Sequence, residues 1–349
     1  MESVKLQSAL DGTSAATAAR QALSLWGLSG ADIEPIKVRE NAVYRVIHNR
    51  QSVGALRVHR PGYHDDDTLH SEFIWMRALA AAGISVPRAL PSIRGADFEV
   101  IRPTDSKAGY QVDILEWIEG RQLGVVGEGV ADGTAGVERQ YEAIGCTMGR
   151  MHNHAESWVP PTGFKRHSWD AAGLVGEQPF WGRFWELSQL TPAQRSLMQR
   201  TRTHIAQVLS DLGRRPDRYG LIHADLIPEN ILVDGTTQRV IDFDDAGFGW
   251  HLFDVATSLY FLADEPYYEK ARNALVRGYR KERDLPDSIL ALLPIFLAAR
   301  GTTYLGWLNT RQGSQAASEL GPLLIRLGCT TASLIVESPQ NRDLAKRGR

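Results

Sequence analysis

Four polar residues that could do chemistry lie close together in two stretches, LIHADLIPENILV and RVIDFDDAG. They are His223, Asp225, Asn230 and Asp242, and they adjoin short apolar runs that are typical of buried strands. Burying a carboxylate is costly unless it is paired or bound to a metal ion. A hard divalent cation prefers oxygen ligands, which an amide and a carboxylate supply. The pattern therefore predicts a site for magnesium and a phosphate group rather than a purely structural cluster.

The spacing of these residues makes the prediction more specific. His223, Asp225 and Asn230 fit the pattern H-x-D-x-x-x-x-N, which is the pattern of a kinase catalytic loop. In such a loop the aspartate accepts the proton of the attacking hydroxyl, and the asparagine binds magnesium. Asp242 follows the next predicted strand, in IDFDD, where kinases carry a further metal-binding aspartate. A lone H-x-D would be weak evidence, but the loop, the hairpin and the I-D-F together are a strong signal.

With these motifs the chain resembles the aminoglycoside phosphotransferase superfamily, which includes homoserine kinase type II and choline kinase. The resemblance covers most of the chain and is most specific in HADLIPENILV, RVIDFDDAG and FDVATSLYFL. It implies an α+β, bilobal protein-kinase-like fold with a small antiparallel sheet lobe and a larger, mainly helical lobe. It also implies that Asp225 is the catalytic base, that His223 orients the loop, and that Asn230 and Asp242 bind magnesium.

Three further aspartates follow from the same resemblance. Asp244 or Asp245 would support the metal site or a second ion, although a turn residue is an equally good interpretation of Asp244. Asp254 opens the next predicted helix and looks like a structural aspartate that many members of the superfamily carry there.

The N-terminal third carries candidate nucleotide-binding residues. GALRVHR is similar to the kinase strand that bears a phosphate-binding lysine, with Arg57 in the position of the lysine. Glu72, in the following predicted helix, has the spacing to pair with Arg57, and the pair would hold the α- and β-phosphates. A surface ion pair is the alternative. The chain lacks a glycine-rich loop, and RENAVYRV stands in its place, so Asn41 is a candidate to cover the phosphates.

The segment ILEWIEG resembles the hinge between kinase lobes. The backbone of Glu116, Trp117 and Ile118 would then meet the edge of the adenine ring. The nucleotide is predicted to be ATP, with GTP left open. This hinge also divides the predicted domains, a nucleotide-binding lobe at 1–118 and a catalytic and substrate-binding helical lobe at 119–349.

Periodicity and turn residues predict the elements of these lobes. AATAARQALSLWG and DDDTLHSEFIWMRALAAAG are predicted helices, and ADIEPIKV, NAVYRVIHN, QSVGALRVHR, DFEVI and YQVDILEWI are predicted strands. In the second half, only YGLIH, NILVD and QRVIDF give strand signals. Helices are predicted at GVERQYEAIGCTMGRMHNHAES, PFWGRFWELSQL, TPAQRSLMQRTRTHIAQVLSDLG and most of 252–336.

Composition excludes several other classes of protein. The 349 residues carry 39 basic and 41 acidic side chains, a net charge of −2, so no global basic field indicates nucleic-acid binding. The longest apolar run, Ile289–Ala299, is too short to span a bilayer and contains a proline. The first residues lack the apolar core of a signal peptide. Two distant cysteines fit free thiols in a reducing cytoplasm. The sequence leaves the oligomeric state open.

The acceptor is predicted to be a small-molecule alcohol of the amino alcohol, amino acid or amino sugar class. Only eleven residues, Phe243–Phe253, separate Asp242 from Asp254, and no A-P-E motif follows, so little chain is left for a peptide-binding platform. Ile227 also stands where protein kinases usually place a lysine. Trp181, Trp185, Tyr260 and Trp307 are candidates to line the acceptor pocket, although core packing is the commoner use of such residues. Two alternatives are a serine/threonine protein kinase of the bacterial stress-response type and a catalytically inactive regulatory module.

Overall fold

A computed structural model of the chain describes residues 12–39, 41–103, 109–131 and 133–337. The chain forms two compact units. Unit 1 comprises Met1–Arg121, Pro160–Lys165 and Arg239–Ile241, and unit 2 comprises Gln122–Val159, Arg166–Gln238 and Asp242–Arg349. The assignment of nucleotide binding to domain 1–118 and of catalysis to domain 119–349 stays a prediction.

Unit 1 contains an antiparallel sheet whose strands are joined in the order β1-β2-β3-β5-β4. The strands are β1 (Asp32–Val38), β2 (Ala42–His48), β3 (Gln51–Val58), β4 (Phe98–Ile101) and β5 (Tyr110–Glu116). The five predicted strands of this region are therefore confirmed. Because β3 pairs directly with β5, residues that face each other across these two central strands lie on the same face of the sheet.

Two helices pack in unit 1, α1 (Gly12–Ala22) and α2 (Asp66–Ala81), and both were predicted. On α1, alanines at helical spacing form a narrow buried face, which lets the helix approach the apolar side of the sheet closely. A short 3₁₀ turn follows α1 and ends at Gly27, whose φ of 67° is in the left-handed region that glycine tolerates. The carboxylate of Asp65 caps α2 by accepting from the amide of Thr68 at 2.9 Å.

Unit 2 is mainly helical, as predicted. Its helices are α3 (Gly133–Ser157), α4 (Ala171–Val175), α5 (Pro192–Leu212), α6 (His251–Tyr260), α7 (Tyr268–Glu282), α8 (Asp287–Leu290), α9 (Leu293–Thr310) and α10 (Gln315–Val336). Helices α3 and α7 lie very close together at Gly145 and Gly278. A Cβ atom on Gly145 would lie 2.1 Å from the carbonyl oxygen of Leu275, so both positions need glycine for this packing.

The remaining strands are short: β6 (Arg121–Gln122), β7 (Gly124–Val125), β8 (Gly129–Val130), β9 (Ser168–Trp169), β10 (Tyr219–Ile222), β11 (Ile231–Asp234), β12 (Thr237–Val240) and β13 (Gly247–Trp250). Strand β13 joins β10 antiparallel and β9 parallel. A 3₁₀ turn at Pro228–Asn230 precedes β11.

Two predictions for unit 2 are wrong in detail. The segment PFWGRFWELSQL was predicted as a helix but contains only a 3₁₀ turn at Phe184–Glu186. Strand β13 was missed because glycine is a poor strand former. Its glycines are needed for close packing, since a Cβ atom on Gly249 would lie 2.4 Å from Cδ1 of Ile222. The sequence therefore looks like a loop where packing imposes a strand.

Two segments of the described chain are long and apolar enough to cross a membrane by length and composition. They are Asp287–Thr310, which includes α8 and α9, and the helix α10. The apolar window of the first is 72 % buried within the protein, and that of the second is 39 % buried. Most of the apolar side chains of α9 thus belong to the core of unit 2.

Candidate active site

The loop after β10 holds Asp225 by three hydrogen bonds, one of which reaches its carboxylate. Asn230 donates from Nδ2 to Oδ2 of Asp225 at 2.7 Å and to its backbone oxygen at 2.9 Å. The amide of Asp225 donates to Nδ1 of His223 at 3.2 Å, so His223 does contact the loop that it was predicted to orient. Because the nitrogen of the Asn230 side chain is engaged with Asp225, its oxygen Oδ1 is the atom left to act as a metal ligand.

The backbone of this loop is held in an unusual conformation. Ala224 has a φ of 65°, in the left-handed region, where a residue other than glycine costs roughly 1–3 kcal/mol. The two carboxylate oxygens of Asp254, in the first turn of α6, accept from the amides of Ala224 at 2.7 Å and of His223 at 3.0 Å. Asp254 is fully buried and, through these two bonds, acts as a structural brace for the predicted catalytic loop.

A buried chain of hydrogen bonds continues from Asp254 to α3 and α7. His152 places Nε2 at 3.1 Å from Oδ2 of Asp254 and Nδ1 at 2.9 Å from the hydroxyl of Tyr279. Burial lowers the pKa of His152 to about 3, so its ring is neutral at pH 7. Neutral His152 donates from Nε2 to Asp254 and accepts from Tyr279 at Nδ1, which satisfies all three groups. Burial raises the pKa of Asp254 to about 6, against the opposing effects of His223 and two backbone amides.

The predicted metal-binding aspartate, Asp242, lies just after β12 and also has a left-handed backbone, with a φ of 68°. The turn that follows is bound by Arg166, whose guanidinium donates to the backbone oxygens of Phe243, Asp244 and Ala246. Asp244 and Asp245 are both buried in this turn. Arg166 was not identified from the sequence, because nothing in FKRHSW marks one basic residue as a buried one.

A second arginine that sequence reasoning missed contacts the predicted base directly. Arg300, on α9, is fully buried and donates from Nη2 to Oδ1 of Asp225. Burial would lower the pKa of this guanidinium, but Tyr304, Asp225 and Asp245 outweigh that effect and hold its pKa above the usual value. The available signal was an arginine within the apolar run LPIFLAARGTTYLGW, where an unpaired charge would be costly.

The predicted pair in unit 1 is present and is part of a larger buried cluster. Arg57 donates from Nη1 to Glu72 at 2.8 Å, and from Nε and Nη2 to the two oxygens of Asp113 at 3.0 and 3.1 Å. His59 adds a contact of 2.5 Å to Asp113. Asp113 faces Arg57 across the β3–β5 pair, which explains how a residue so distant in sequence reaches it. The surface ion pair is ruled out, because Arg57 is only 4 % exposed.

The electrostatics of this cluster follow from burial and charge. Burial alone would raise the pKa of Asp113, but Arg57 and His59 outweigh it and hold the pKa below the usual value. All three nitrogens of the Arg57 guanidinium donate to carboxylates, and a phosphate contact by Arg57 stays a prediction. Asp113 was missed because a single acidic residue in YQVDILEWI does not reveal its partner.

The other predicted nucleotide-binding residues also lie in unit 1. Asn41 is buried beside the start of β2, and its Oδ1 has no hydrogen-bond partner among the described residues. The amide of Glu116 donates to the carbonyl of Arg88 at 2.8 Å, so that amide is already used within the protein. Trp117 packs against the guanidinium of Arg45, with 5.0 Å between Cζ and the ring centroid. A contact of Glu116, Trp117 or Ile118 with adenine remains a prediction.

The donor set fits a magnesium site of the phosphotransferase kind. Magnesium is commonly held by one or two carboxylates together with substrate phosphates, rather than by a cage of protein ligands. Among the described residues there is no group of three or more histidine, cysteine and acidic side chains arranged around a metal ion. Asn230 and Asp242, completed by phosphate oxygens, are consistent with that chemistry.

The residues predicted from the kinase pattern are thus arranged with Asn230 bonded to Asp225, and with Asp242 in a left-handed conformation after the next strand. The chain belongs to the APH phosphotransferase enzyme family, whose model matches residues 32–290. The predicted superfamily and the protein-kinase-like α+β fold are thereby confirmed.

Known proteins support the same assignment over nearly the full chain. Amicoumacin kinase of Bacillus subtilis (strain 168) is 26 % identical over 299 residues, which cover 83 % of each chain. The structure of a microcompartment-associated aminopropanol kinase is 31 % identical, covers 93 % of this chain and 98 % of its own, and has a TM-score of 0.80. The amicoumacin kinase hAmiN, solved with AMP-PNP, Ca²⁺ and Ami, is 25 % identical, covers 93 % and 94 %, and has a TM-score of 0.71.

The protein is therefore an enzyme, a kinase that transfers a phosphoryl group from a nucleotide to the hydroxyl of a small molecule. The predicted enzyme class and the small-molecule acceptor are confirmed at this level. The comparisons give no support to the protein kinase or to the inactive module.

Proposed function

We propose that the enzyme transfers the γ-phosphoryl group of ATP to the hydroxyl of an amino alcohol, amino acid or amino sugar, with magnesium as its metal ion. The observation that supports this most directly is the arrangement around Asp225. One of its oxygens binds Asn230 and the other binds Arg300, so the carboxylate is fixed in orientation beside the candidate metal ligands.

In the proposed mechanism, Asp225 accepts a hydrogen bond from the acceptor hydroxyl and takes its proton as the oxygen attacks the γ-phosphorus. The bond from that phosphorus to the β–γ bridging oxygen breaks, and ADP leaves. Positioning and charge stabilisation dominate such a reaction, because the transition state is loose. Oδ1 of Asn230 and the carboxylate of Asp242 would hold magnesium, which neutralises charge on the phosphate oxygens when it is bound. His223 keeps the loop in place through the amide of Asp225.

For the nucleotide we assign the residues of unit 1. Arg57, paired with Glu72, would contact the α- and β-phosphates, and Asn41 would cover them. The backbone of Glu116, Trp117 and Ile118 would bind the adenine edge. We further expect the enzyme to act in the cytoplasm, without a nucleic-acid or membrane partner.

A screen of acceptors tests this function. The purified enzyme is incubated with MgATP and with aminopropanol, ethanolamine, choline, homoserine or an aminoglycoside, and ADP release is followed together with the phosphorylated product. We expect one class of acceptor to be phosphorylated, and Asp225→Asn to lower that turnover by roughly 10²–10⁴ while nucleotide binding persists.

The outcomes against this function are also defined. Near-normal turnover in Asp225→Asn would remove the residue from its role as base. Equal turnover with ATP and GTP would remove the preference for ATP. Stoichiometric phosphorylation of serine or threonine in an added protein, with no small alcohol phosphorylated, would reverse the choice of acceptor.

A further inference from the structure

Arg300 is a buried cation at the centre of the catalytic unit that the proposed mechanism has not yet used. It lies midway along α9 with no exposed surface. Taking a guanidinium out of water is costly, and a well-packed apolar residue at such a site is often equally stable or more stable. Protein stability alone is therefore a weak reason for an arginine at this position. The contacts of Arg300 indicate a different reason.

The contacts of Arg300 are concentrated on one nitrogen. Nη2 donates to Oδ1 of Asp225 and, at 2.7 Å, to the hydroxyl of Tyr304. Nε and Nη1 have no hydrogen-bond acceptor among the described residues. Instead, three rings surround the guanidinium, with their centroids 4.9 Å (Trp181), 5.7 Å (Phe253) and 4.2 Å (Tyr304) from Cζ. Aromatic faces attract a cation without competing for it as hydrogen-bond acceptors.

Arg300 donates its carboxylate hydrogen bond to Asp225, and the surrounding rings hold the guanidinium for that contact. The rings fix the guanidinium, and the guanidinium fixes one oxygen of Asp225, while Asn230 fixes the other. Both lone-pair directions used by these bonds are closed to the substrate. The carboxylate can then accept the substrate hydroxyl only from the remaining directions, in a geometry that is set before substrate binds.

We propose that Arg300 is a positioning residue for phosphoryl transfer, which acts by holding Asp225 in the orientation that receives the acceptor hydroxyl. The proposal rests on the proposed function of Asp225. Trp181 and Tyr304 thereby have a specific role, because they keep the arginine in place. Of these two supports, Trp181 was among the aromatic residues predicted as candidates to line the acceptor pocket.

A double-mutant cycle in urea tests the contact without needing an acceptor. We expect Arg300→Met to lower the urea midpoint of unfolding in the wild-type background. In Asp225→Asn it should raise the midpoint or leave it unchanged, because it then removes a buried cation that has lost its counter-charge. Arg202→Met is the matched control, since Arg202 stacks on Trp185 at 4.0 Å and does not contact Asp225. Its effect should be equal in both backgrounds.

A second cycle measures turnover with the acceptor found in the screen. Arg300→Met should lower kcat by about 10²-fold, with little change in the KM for nucleotide, and Arg300→Lys should recover part of the loss. In the Asp225→Asn background the same change should have little further effect. A merely structural arginine would lower turnover equally in both backgrounds.

The failures of the two proposals can be told apart. Additive urea midpoints, or turnover in Arg300→Met above half of the wild-type value, would overturn the role of Arg300 while leaving the kinase assignment intact. If coupling is found in urea but no acceptor is phosphorylated, the contact stands and the proposed function fails, and the positioning role fails with it.

Discussion

Asp254 braces the catalytic loop, so the change Asp254→Asn should separate activity from stability. The side chain keeps its size, but one oxygen becomes an amide nitrogen. In the wild type the two oxygens accept from the amides of His223 and Ala224 and from Nε2 of His152. The asparagine has only one acceptor oxygen, so its amide nitrogen must face at least one of these three N–H donors.

The stability terms of this variant largely cancel. Losing one hydrogen bond to a charged acceptor costs about 1.5–3 kcal/mol. Against this, the pKa of Asp254 is raised from 3.8 to about 6 by burial, so its charged form carries a penalty of about 3 kcal/mol at neutral pH. Removing the charge relieves that penalty. We therefore expect the free energy of unfolding at pH 7 to change by less than about 2 kcal/mol.

The activity should fall much further. Ala224 has a left-handed backbone that costs roughly 1–3 kcal/mol, and its amide is held by Asp254. The asparagine oxygen serves the most donors in the place of Oδ2, which leaves the amide of Ala224 without its acceptor. The loop can then relax, and a preference of that size for the relaxed form lowers the competent population by about 5–150-fold.

Urea unfolding followed by circular dichroism gives the stability, and coupled ADP release gives kcat. Asp211→Asn is the control and should change neither, because Asp211 is exposed on α5 and its carboxylate accepts from Gln207 alone among the residues that the structure describes. The reasoning is refuted if Asp254→Asn keeps wild-type kcat, or if kcat falls only in proportion to unfolded protein.

Two further predictions concern pH and metal. The pKa of His152 is about 3 in the folded protein against 6.5 when unfolded, so the folded state loses stability as pH falls from 6.5 towards 3. The pKa of Asp254 is about 6 in the folded protein against 3.8 when unfolded, so the folded state gains stability as pH falls from 6 towards 3.8. In the wild type, these two effects should leave the free energy of unfolding nearly independent of pH between about pH 4 and 6. In Asp254→Asn, the free energy of unfolding should fall by up to about 1.4 kcal/mol per pH unit below pH 6.5. Urea titrations at several pH values measure both, and parallel curves for the two proteins would contradict this. In the presence of magnesium, Asp242→Ala should weaken nucleotide binding and Asn230→Ala should weaken it less, because only the first removes a charged oxygen ligand. Calorimetry with magnesium and with a chelator measures the nucleotide affinity. If the affinity of the wild type is the same in both conditions, the metal site is ruled out.

The local sequence determined the catalytic motif and most of the elements. His223, Asp225, Asn230 and Asp242 were found because the loop keeps them at fixed short spacings, which need no knowledge of distant packing. The strands of unit 1 and the helices α1 and α2 were predictable for the same reason, since alternation, capping residues and glycine stops act over a few residues.

Only the tertiary structure decided which partners those residues receive. Arg300 reaches Asp225 from α9, 75 residues further along the chain, and Asp113 reaches Arg57 through the pairing of β3 with β5. Each is a single charged residue in an apolar segment, so the sequence indicates that a partner must exist but not which one. The partner is fixed by long-range packing because a buried charge is stable only where the fold brings its counter-charge and hydrogen-bond groups to the same place.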